Sequence, residues 1–260
     1  MNILEQLADH ARERVAKAKA VQPTAAVRRE ALALAKGDFP FERVLAGEGL
    51  AFICECKRSS PSKGLIAAKF PYLEIAAEYE AAGAEAISVL TEPRWFLGSN
   101  DYLRKIAETV SVPCLRKDFT VDEYMLYEAK LLGASAALLI CSILDAGQLQ
   151  DYIQICEALG LSALVEVHDE TETETALHAG AKMIGVNNRN LKDFSVDASN
   201  SRRLRKLVPE DILFVSESGI QNAGDVRAAR ELKADAVLVG EVLMRAEDKF
   251  AKLTELRGRL

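Results

Sequence analysis

Eight short apolar runs rich in β-formers predict an α/β chain, built as a (β/α)8 TIM barrel with an N-terminal helical extension. The predicted strands are Phe52–Lys57, Ala86–Leu90, Pro113–Lys117, Ala136–Cys141, Ala163–Val167, Met183–Asn187, Ile212–Ser216 and Ala236–Gly240. Their starts lie roughly twenty to thirty-odd residues apart, the length of a strand-loop-helix unit. Between them run helix-period segments that stop at glycine: Tyr72–Ala82 before Gly83, Asp122–Leu132 before Gly133 and Thr171–Ala179 before Gly180. Glycine closes helices because it adopts left-handed backbone angles without steric cost. A further segment, Asp225–Leu232, precedes the last strand. The strands are almost continuously apolar, as expected when both faces of a parallel sheet are covered. Eight such units in 260 residues fit a closed barrel. The alternative, a doubly wound open sheet, lacks a Gly-x-Gly-x-x-Gly after its first strand.

The first strand begins only near residue 51, so residues 1–48 read as a helical extension within a single domain, 1–260. Ile3, Leu4, Leu7, Ala11 and Val15 fall on one helical face. Pro23 and Pro40 punctuate the segment. Its helices are expected to pack onto the barrel, the mouth being one candidate place.

Composition excludes several classes. An apolar fraction of 49% is ample for one core, and a net charge of −6 argues against nonspecific nucleic-acid binding, which needs a basic face. The N-terminal stretch carries acids early and lacks the basic start and apolar centre of a signal peptide. No apolar run approaches the length of a membrane span. The five cysteines are odd in number, and four of them, Cys54, Cys56, Cys114 and Cys141, fall in predicted strands. They read as buried reduced thiols, which implies a cytoplasmic location. Cys54-x-Cys56 has no second Cys/His pair to complete a metal site, and His10, His168 and His178 lack metal-ligand spacing. No metal is expected.

Chemistry in such barrels sits at the C-terminal ends of the strands. Strand 1 ends in Glu55-Cys56-Lys57 and continues as a Ser/Gly-containing loop through Gly64. Side chains alternate faces along a strand, so Glu55 and Lys57 point one way and Cys54 and Cys56 the other. Taken alone, that acid and ammonium also admit the reading of a structural ion pair. The other strand ends tip the balance: Lys117 and Phe119 on strand 3, Glu166 and His168 on strand 5, Asn187 and Arg189 on strand 6. Two lysines, two acids, an arginine and an asparagine converging on one rim are hard to explain as structural. After strands 7 and 8, Ser216-Glu217-Ser218-Gly219 and Gly240-Glu241 occupy the places where these barrels bind phosphate through backbone amides. A lone Ser-x-Ser-Gly would as readily be an ordinary turn.

Together these motifs resemble the indole-3-glycerol phosphate synthase family. The specific stretches are Glu55-Cys56-Lys57-Arg58-Ser59-Ser60-Pro61-Ser62-Lys63-Gly64, Leu90-Thr91-Glu92, Phe96 with Gly98-Ser99, and Leu115-Arg116-Lys117-Asp118-Phe119. Further along come Leu164-Val165-Glu166-Val167-His168, Ile184 through Leu191, Ser216-Glu217-Ser218-Gly219-Ile220 and Val239-Gly240-Glu241. Their order and spacing carry the likeness over nearly the full length. Three features depart from it. Cys56 replaces a usual aliphatic residue, Val242 stands where serine is frequent and removes one donor to phosphate, and Trp95 and Leu97 vary the loop after strand 2.

The resemblance implies conversion of 1-(2-carboxyphenylamino)-1-deoxyribulose 5-phosphate to indole-3-glycerol phosphate, with loss of CO2 and water and without cofactor. It implies Lys117 as the acid at the carbonyl oxygen, where negative charge develops. Glu166 is implied as a proton carrier in dehydration, with Lys57 or Lys117 as counterpart. Glu55 would orient Lys57, Asn187 would bond a substrate hydroxyl or the lysine, and Ser218 is implied among the catalytic residues. Glu217 ranks lower, because alternation sets it opposite Ser216 and Ser218. Ser60, Phe96, Phe119, Leu138, Arg189 and Leu191 would hold the substrate. Lys57, Ser218, Gly219, Gly240 and Glu241 would meet its phosphate. The expected partner is this small molecule alone, bound by a monomer. The alternatives are another phosphate-binding barrel enzyme, such as a phosphoribosylanthranilate isomerase, or a noncatalytic phosphometabolite-binding barrel.

Overall fold

A computed structural model describes residues 2–190 and 194–258. Among the described residues the barrel is built of eight strands: β1 Ala51–Cys56, β2 Ala86–Leu90, β3 Cys114–Lys117, β4 Ala136–Ile140, β5 Ser162–Val167, β6 Met183–Asn187, β7 Leu213–Glu217 and β8 Ala236–Val239. All their ladders are parallel, and they close in the order β1-β8-β7-β6-β5-β4-β3-β2. The barrel shuts where β1 pairs on both sides, Ala51 opposite Ala236 and Ile53 opposite Ala86. Every position of β1, β2, β4 and β8 is buried. That is the consequence of side chains filling the interior on one face and helices covering the other. The open-sheet alternative is thereby excluded.

One boundary matters for the site. β7 runs one residue later than the sequence reading, so Glu217 is its last residue rather than the first of the following loop.

The outer layer is formed by α4 Tyr72–Ala81, α5 Asn100–Thr109, α6 Tyr124–Leu131, α7 Ala146–Leu159, α8 Glu170–His178, α9 Ser199–Leu204, α10 Ala223–Glu231, α11 Glu241–Arg245 and α12 Lys249–Leu256. Five of them, α5, α7, α8, α10 and α12, start at side-chain caps that satisfy otherwise orphaned amides. Asp145 and Gln148 form a capping box at α7, Asn222 and Asp225 another at α10, and Asp169 caps α8. Gly160 ends α7 with φ 69° and lies backbone to backbone against Gly37, where a Cβ on either residue would come within 2.3 Å of the other's backbone.

Ahead of β1 lie α1 Ile3–Val21, α2 Thr24–Ala33 and α3 Pro40–Leu45. The stripe on α1 buries Leu7, Ala8, Ala11 and Val15. A leucine or valine fully removed from water contributes about 2 kcal/mol. The opposite rim of the stripe is latched by charge. Arg14 forks onto Asp118 at 2.7 and 3.1 Å, His10 reaches Glu92 at 3.1 Å, and Lys19 reaches Asp122 at 2.6 Å. Residues 10 and 14 are one helical turn apart, so both point down onto the loops after β2 and β3. The latch holds the start of α1 over the C-terminal mouth, where Ile3 and Leu7 line the central pocket.

Candidate active site

The pocket opens at the C-terminal end of the barrel, and its walls are the strand ends. On β1, Glu55 faces the interior and Lys57, just past the strand, follows it two residues on. Lys57 Nζ lies 2.6 Å from Glu55 Oε2. Cys54 and Cys56 take the other face and are completely buried, and burial pushes both thiols up, away from thiolate at neutral pH.

Lys117, the last residue of β3, projects across the interior between two carboxylates. Its Nζ donates to Glu166 Oε2 at 3.0 Å and to Glu217 Oε2 at 2.6 Å. Burial disfavours its charge, but Glu166, Glu217 and Glu55 outweigh that and hold its pKa above the ordinary lysine range. Glu166, at the end of β5, also has an imidazole at hand. His168 Nε2 lies 3.3 Å from Glu166 Oε1, at ion-pair distance though not aligned for a directed hydrogen bond. Burial raises the Glu166 pKa, and Lys117 and His168 together bring it below the usual carboxylate range.

Glu217 is less well served. Its Oε1 is buried without a hydrogen-bond partner, and it shares its one ammonium with Glu166. Burial, reinforced by the charges of Glu166 and Glu55 against the pull of Lys117, raises its pKa to about 7. The carboxylate fits only because residue 185 is glycine; a Cβ there would lie 2.2 Å from Glu217 Oε1.

This differs from the face on which alternation was counted for Glu217. Alternation does set it opposite Ser216, but the inward face is the one Glu217 occupies. Ser216 points outward, its hydroxyl bonded to Asn188 and Ser201. Ser218 still lines the pocket because the chain leaves the strand there at φ 66°, and Gly219 follows at φ 92°. The Ser218 hydroxyl then donates to Asn187 Oδ1 at 2.9 Å, which also accepts the Arg189 amide at 3.0 Å.

The apolar wall comes from Phe96, Phe119 and Leu138, the two rings tilted at 40° with centroids 6.0 Å apart. Arg189 closes the rim by donating to the carbonyl of Phe194 at 3.1 Å. Leu191, read from sequence as a further wall, lies outside the described residues. Trp95 does not join the wall; it packs edge-on against His10 of α1. Ser60, Lys57, Gly219, Gly240 and Glu241 line the side after β1, β7 and β8. Gly240 lies directly beside the Glu55–Lys57 pair, where a Cβ would be 2.5 Å from Glu55 Oε2. The Glu241 carboxylate turns away to Arg245 and Lys63, so what it can present to an anion is its backbone amide.

The sequence reading missed Ile3, Leu7 and Phe194 as lining residues. Nothing local marks them, because their places follow from how the extension and the loop after β6 fold over the mouth. His168 was legible only as a second polar residue two positions past Glu166. No group of three or more His, Cys, Asp or Glu positioned to hold a metal ion occurs among the described residues. The arrangement can donate protons from ammonium groups, accept them on a carboxylate, and bind an anion beside them.

A family model described as indole-3-glycerol phosphate synthase matches residues 4–256. The indole-3-glycerol phosphate synthase of Ruminiclostridium cellulolyticum is 55% identical over 257 residues, covering 98% of this chain and 99% of the relative. That of Endomicrobium trichonymphae is 49% identical over 256 residues, with 98% and 99% covered. That of Lactiplantibacillus plantarum is 50% identical over 256 residues, with 98% of each covered. Among solved structures, a 3-hexulose-6-phosphate synthase aligns with a TM-score of 0.66 at 15% identity, over 81% of this chain and 100% of that one, a likeness of fold alone.

Proposed function

The chain belongs to the indole-3-glycerol phosphate synthase family, and on that basis we propose how its pocket divides the work of the reaction. The protein is a carboxy-lyase that converts 1-(2-carboxyphenylamino)-1-deoxyribulose 5-phosphate to indole-3-glycerol phosphate, CO2 and water. Ring closure joins the aromatic carbon bearing the carboxylate to the ribulose carbonyl carbon, and the carbonyl oxygen takes a proton to become a hydroxyl. The bond to the carboxylate then breaks, its electron pair restores the aromatic ring, and CO2 leaves. Dehydration protonates that hydroxyl, which departs as water, and removes a proton from the neighbouring methylene. Two protons are given and one is taken, so each turnover draws one proton from solvent.

Lys117 is the acid of ring closure, an ammonium kept charged by its two carboxylates where negative charge develops on oxygen. Glu166 takes the methylene proton in dehydration, and Lys57, oriented by Glu55, gives the proton that releases water. Asn187 and Ser218, already bonded to each other, hold substrate hydroxyls. Phe96, Phe119 and Leu138 cover the anthranilate ring while Arg189 takes its carboxylate. The phosphate meets Lys57, Ser60 and the backbone around Ser218, Gly219, Gly240 and Glu241. Glycines at two of those positions allow close backbone approach.

The observation that carries this reading is the ammonium of Lys117 suspended between Glu166 and Glu217, facing the Glu55–Lys57 pair. The protein is further proposed to work as a cytoplasmic monomer; its five cysteines are free and buried. The test is incubation with the carboxyphenylamino-deoxyribulose phosphate while following indole fluorescence and CO2 release. Lys117→Ala should lose at least ~100-fold in kcat; near-normal turnover by that variant would overturn the assignment of the acid.

A further inference from the structure

Behind Glu166, away from the pocket, stands an ionisable group that the reaction does not touch. His168 follows β5, and its Nδ1 lies 3.1 Å from Glu172 Oε2 and 3.2 Å from Ser142 Oγ. Glu172 also accepts from the Ser142 hydroxyl at 2.6 Å and from the His168 backbone amide at 2.8 Å. Asn200 of α9 donates to the His168 carbonyl. The ring is therefore fixed at its backbone and at Nδ1, with Nε2 aimed at Glu166 Oε1 and finding no hydrogen-bond partner.

We propose that His168, clamped by Glu172 and Ser142, is a positioning residue: a standing imidazolium that keeps Glu166 a carboxylate and leaves Glu217 to carry the exchangeable proton of the two acids on Lys117. The proposal rests on Glu166 being the proton acceptor described above.

Two buried carboxylates facing one ammonium cannot both stay ionised without a second positive charge nearby. The second charge is on the Glu166 side alone. Burial opposes protonation of His168, but Glu166 and Glu172 outweigh it and raise its pKa to about 10. Burial likewise opposes the charge on Glu172, and His168 with Ser142 reverses that. The other charged groups on this side are already engaged. Asp169 caps α8, Asp145 caps α7, Arg203 pairs with Glu170, and Arg12 pairs with Asp9 on α1. Asp197 accepts from the Ser199 amide at the start of α9. None of these replaces the imidazolium at Glu166.

Two measurements decide it. In the intact enzyme, nitrogen-15 NMR of the ring, assigned by its loss in His168→Gln, should find both nitrogens protonated up to about pH 9. A ring that is neutral at pH 8 overturns the proposal, whatever Glu166 does. In steady state, His168→Gln should bring the acid limb of kcat up to about pH 7, where the proton of the two acids titrates, a fall of about tenfold at pH 6, with most of kcat recovered at pH 9 and KM changed less than about threefold. Glu172→Gln should shift the limb in the same direction by less. An equal loss at every pH would mean a structural role and would also overturn it. Glu166→Gln separates the two readings. If that variant turns over normally, the acceptor role fails, while the NMR result still reports the charge on His168.

Discussion

Lys117 and Glu217 meet at 2.6 Å although their strands, β3 and β7, stand on opposite sides of the closed barrel. The contact spans the interior, so its geometry depends on every layer between. The smallest of those spacers is Gly185 on β6, whose missing side chain is the space that Glu217 occupies.

Gly185→Ala should therefore act on the charge contact more than on the fold. The new methyl meets the far end of a flexible side chain, so Glu217 swings and its charge-assisted bond to Lys117 lengthens. We expect kcat to fall about tenfold or more, the equivalent of roughly 1.4 kcal/mol, with little change in melting temperature. Unchanged kinetics would show that this contact is dispensable.

Stability should depend on pH through Glu217 and His168. The folded-state pKa of Glu217, about 7, lies above its ordinary value of 4.5, so the folded chain holds a proton that the unfolded chain releases between those values. That stabilisation is complete below pH 4.5 and is lost as pH rises through 7. His168 has the same sign in a higher window, complete below 6.5 and lost as pH rises through about 10. Urea midpoints measured from pH 5 to 10 should decline in both windows. In Glu217→Gln the lower decline should vanish and the upper one remain.

Arg14→Ala should loosen the helix over the mouth. Asp118 has a fully buried side chain, and Arg14 supplies its two-point partner. Removing one member of a buried pair costs about 3 kcal/mol. Because Asp118 directly follows Lys117 and accepts from the Phe119 amide, KM and kcat should change along with the denaturation midpoint. A variant as stable as the parent would show that the latch carries no energy.

Gly160→Ala separates fold from chemistry. Residue 160 sits at φ 69°, and its Cβ would lie 2.1 Å from the carbonyl oxygen of Gly37. A left-handed non-glycine residue costs about 1–2 kcal/mol before any clash is counted. Thermal unfolding should come at a lower temperature while kcat per folded molecule stays the same; a loss confined to kcat would contradict this.

The eight strands were legible because a two-sided buried strand must be apolar along its length, and because Gly83, Gly133 and Gly180 mark the ends of three of the helices between them. Each predicted strand is within one residue of the observed one at either end. The inward face of β7 was less legible. Alternation was counted from Ser216 and Ser218, and Glu217 was ranked low on that point, whereas Glu217 takes the inward face and Ser216 the outward one. Ser218 illustrates the converse, since it lines the pocket through a left-handed backbone turn that alternation does not anticipate.

From sequence alone came the barrel, the rim where its polar residues collect, and the likeness that points to the reaction. These rest on local periodicity and on residue order, both of which are properties of the chain as a string. Tertiary structure decided which carboxylates share Lys117, that His168 stands behind only one of them, and that α1 reaches the mouth through Arg14 and His10. Those are distances between residues far apart in the chain, and charge interactions depend on distance and burial, neither of which a linear order contains.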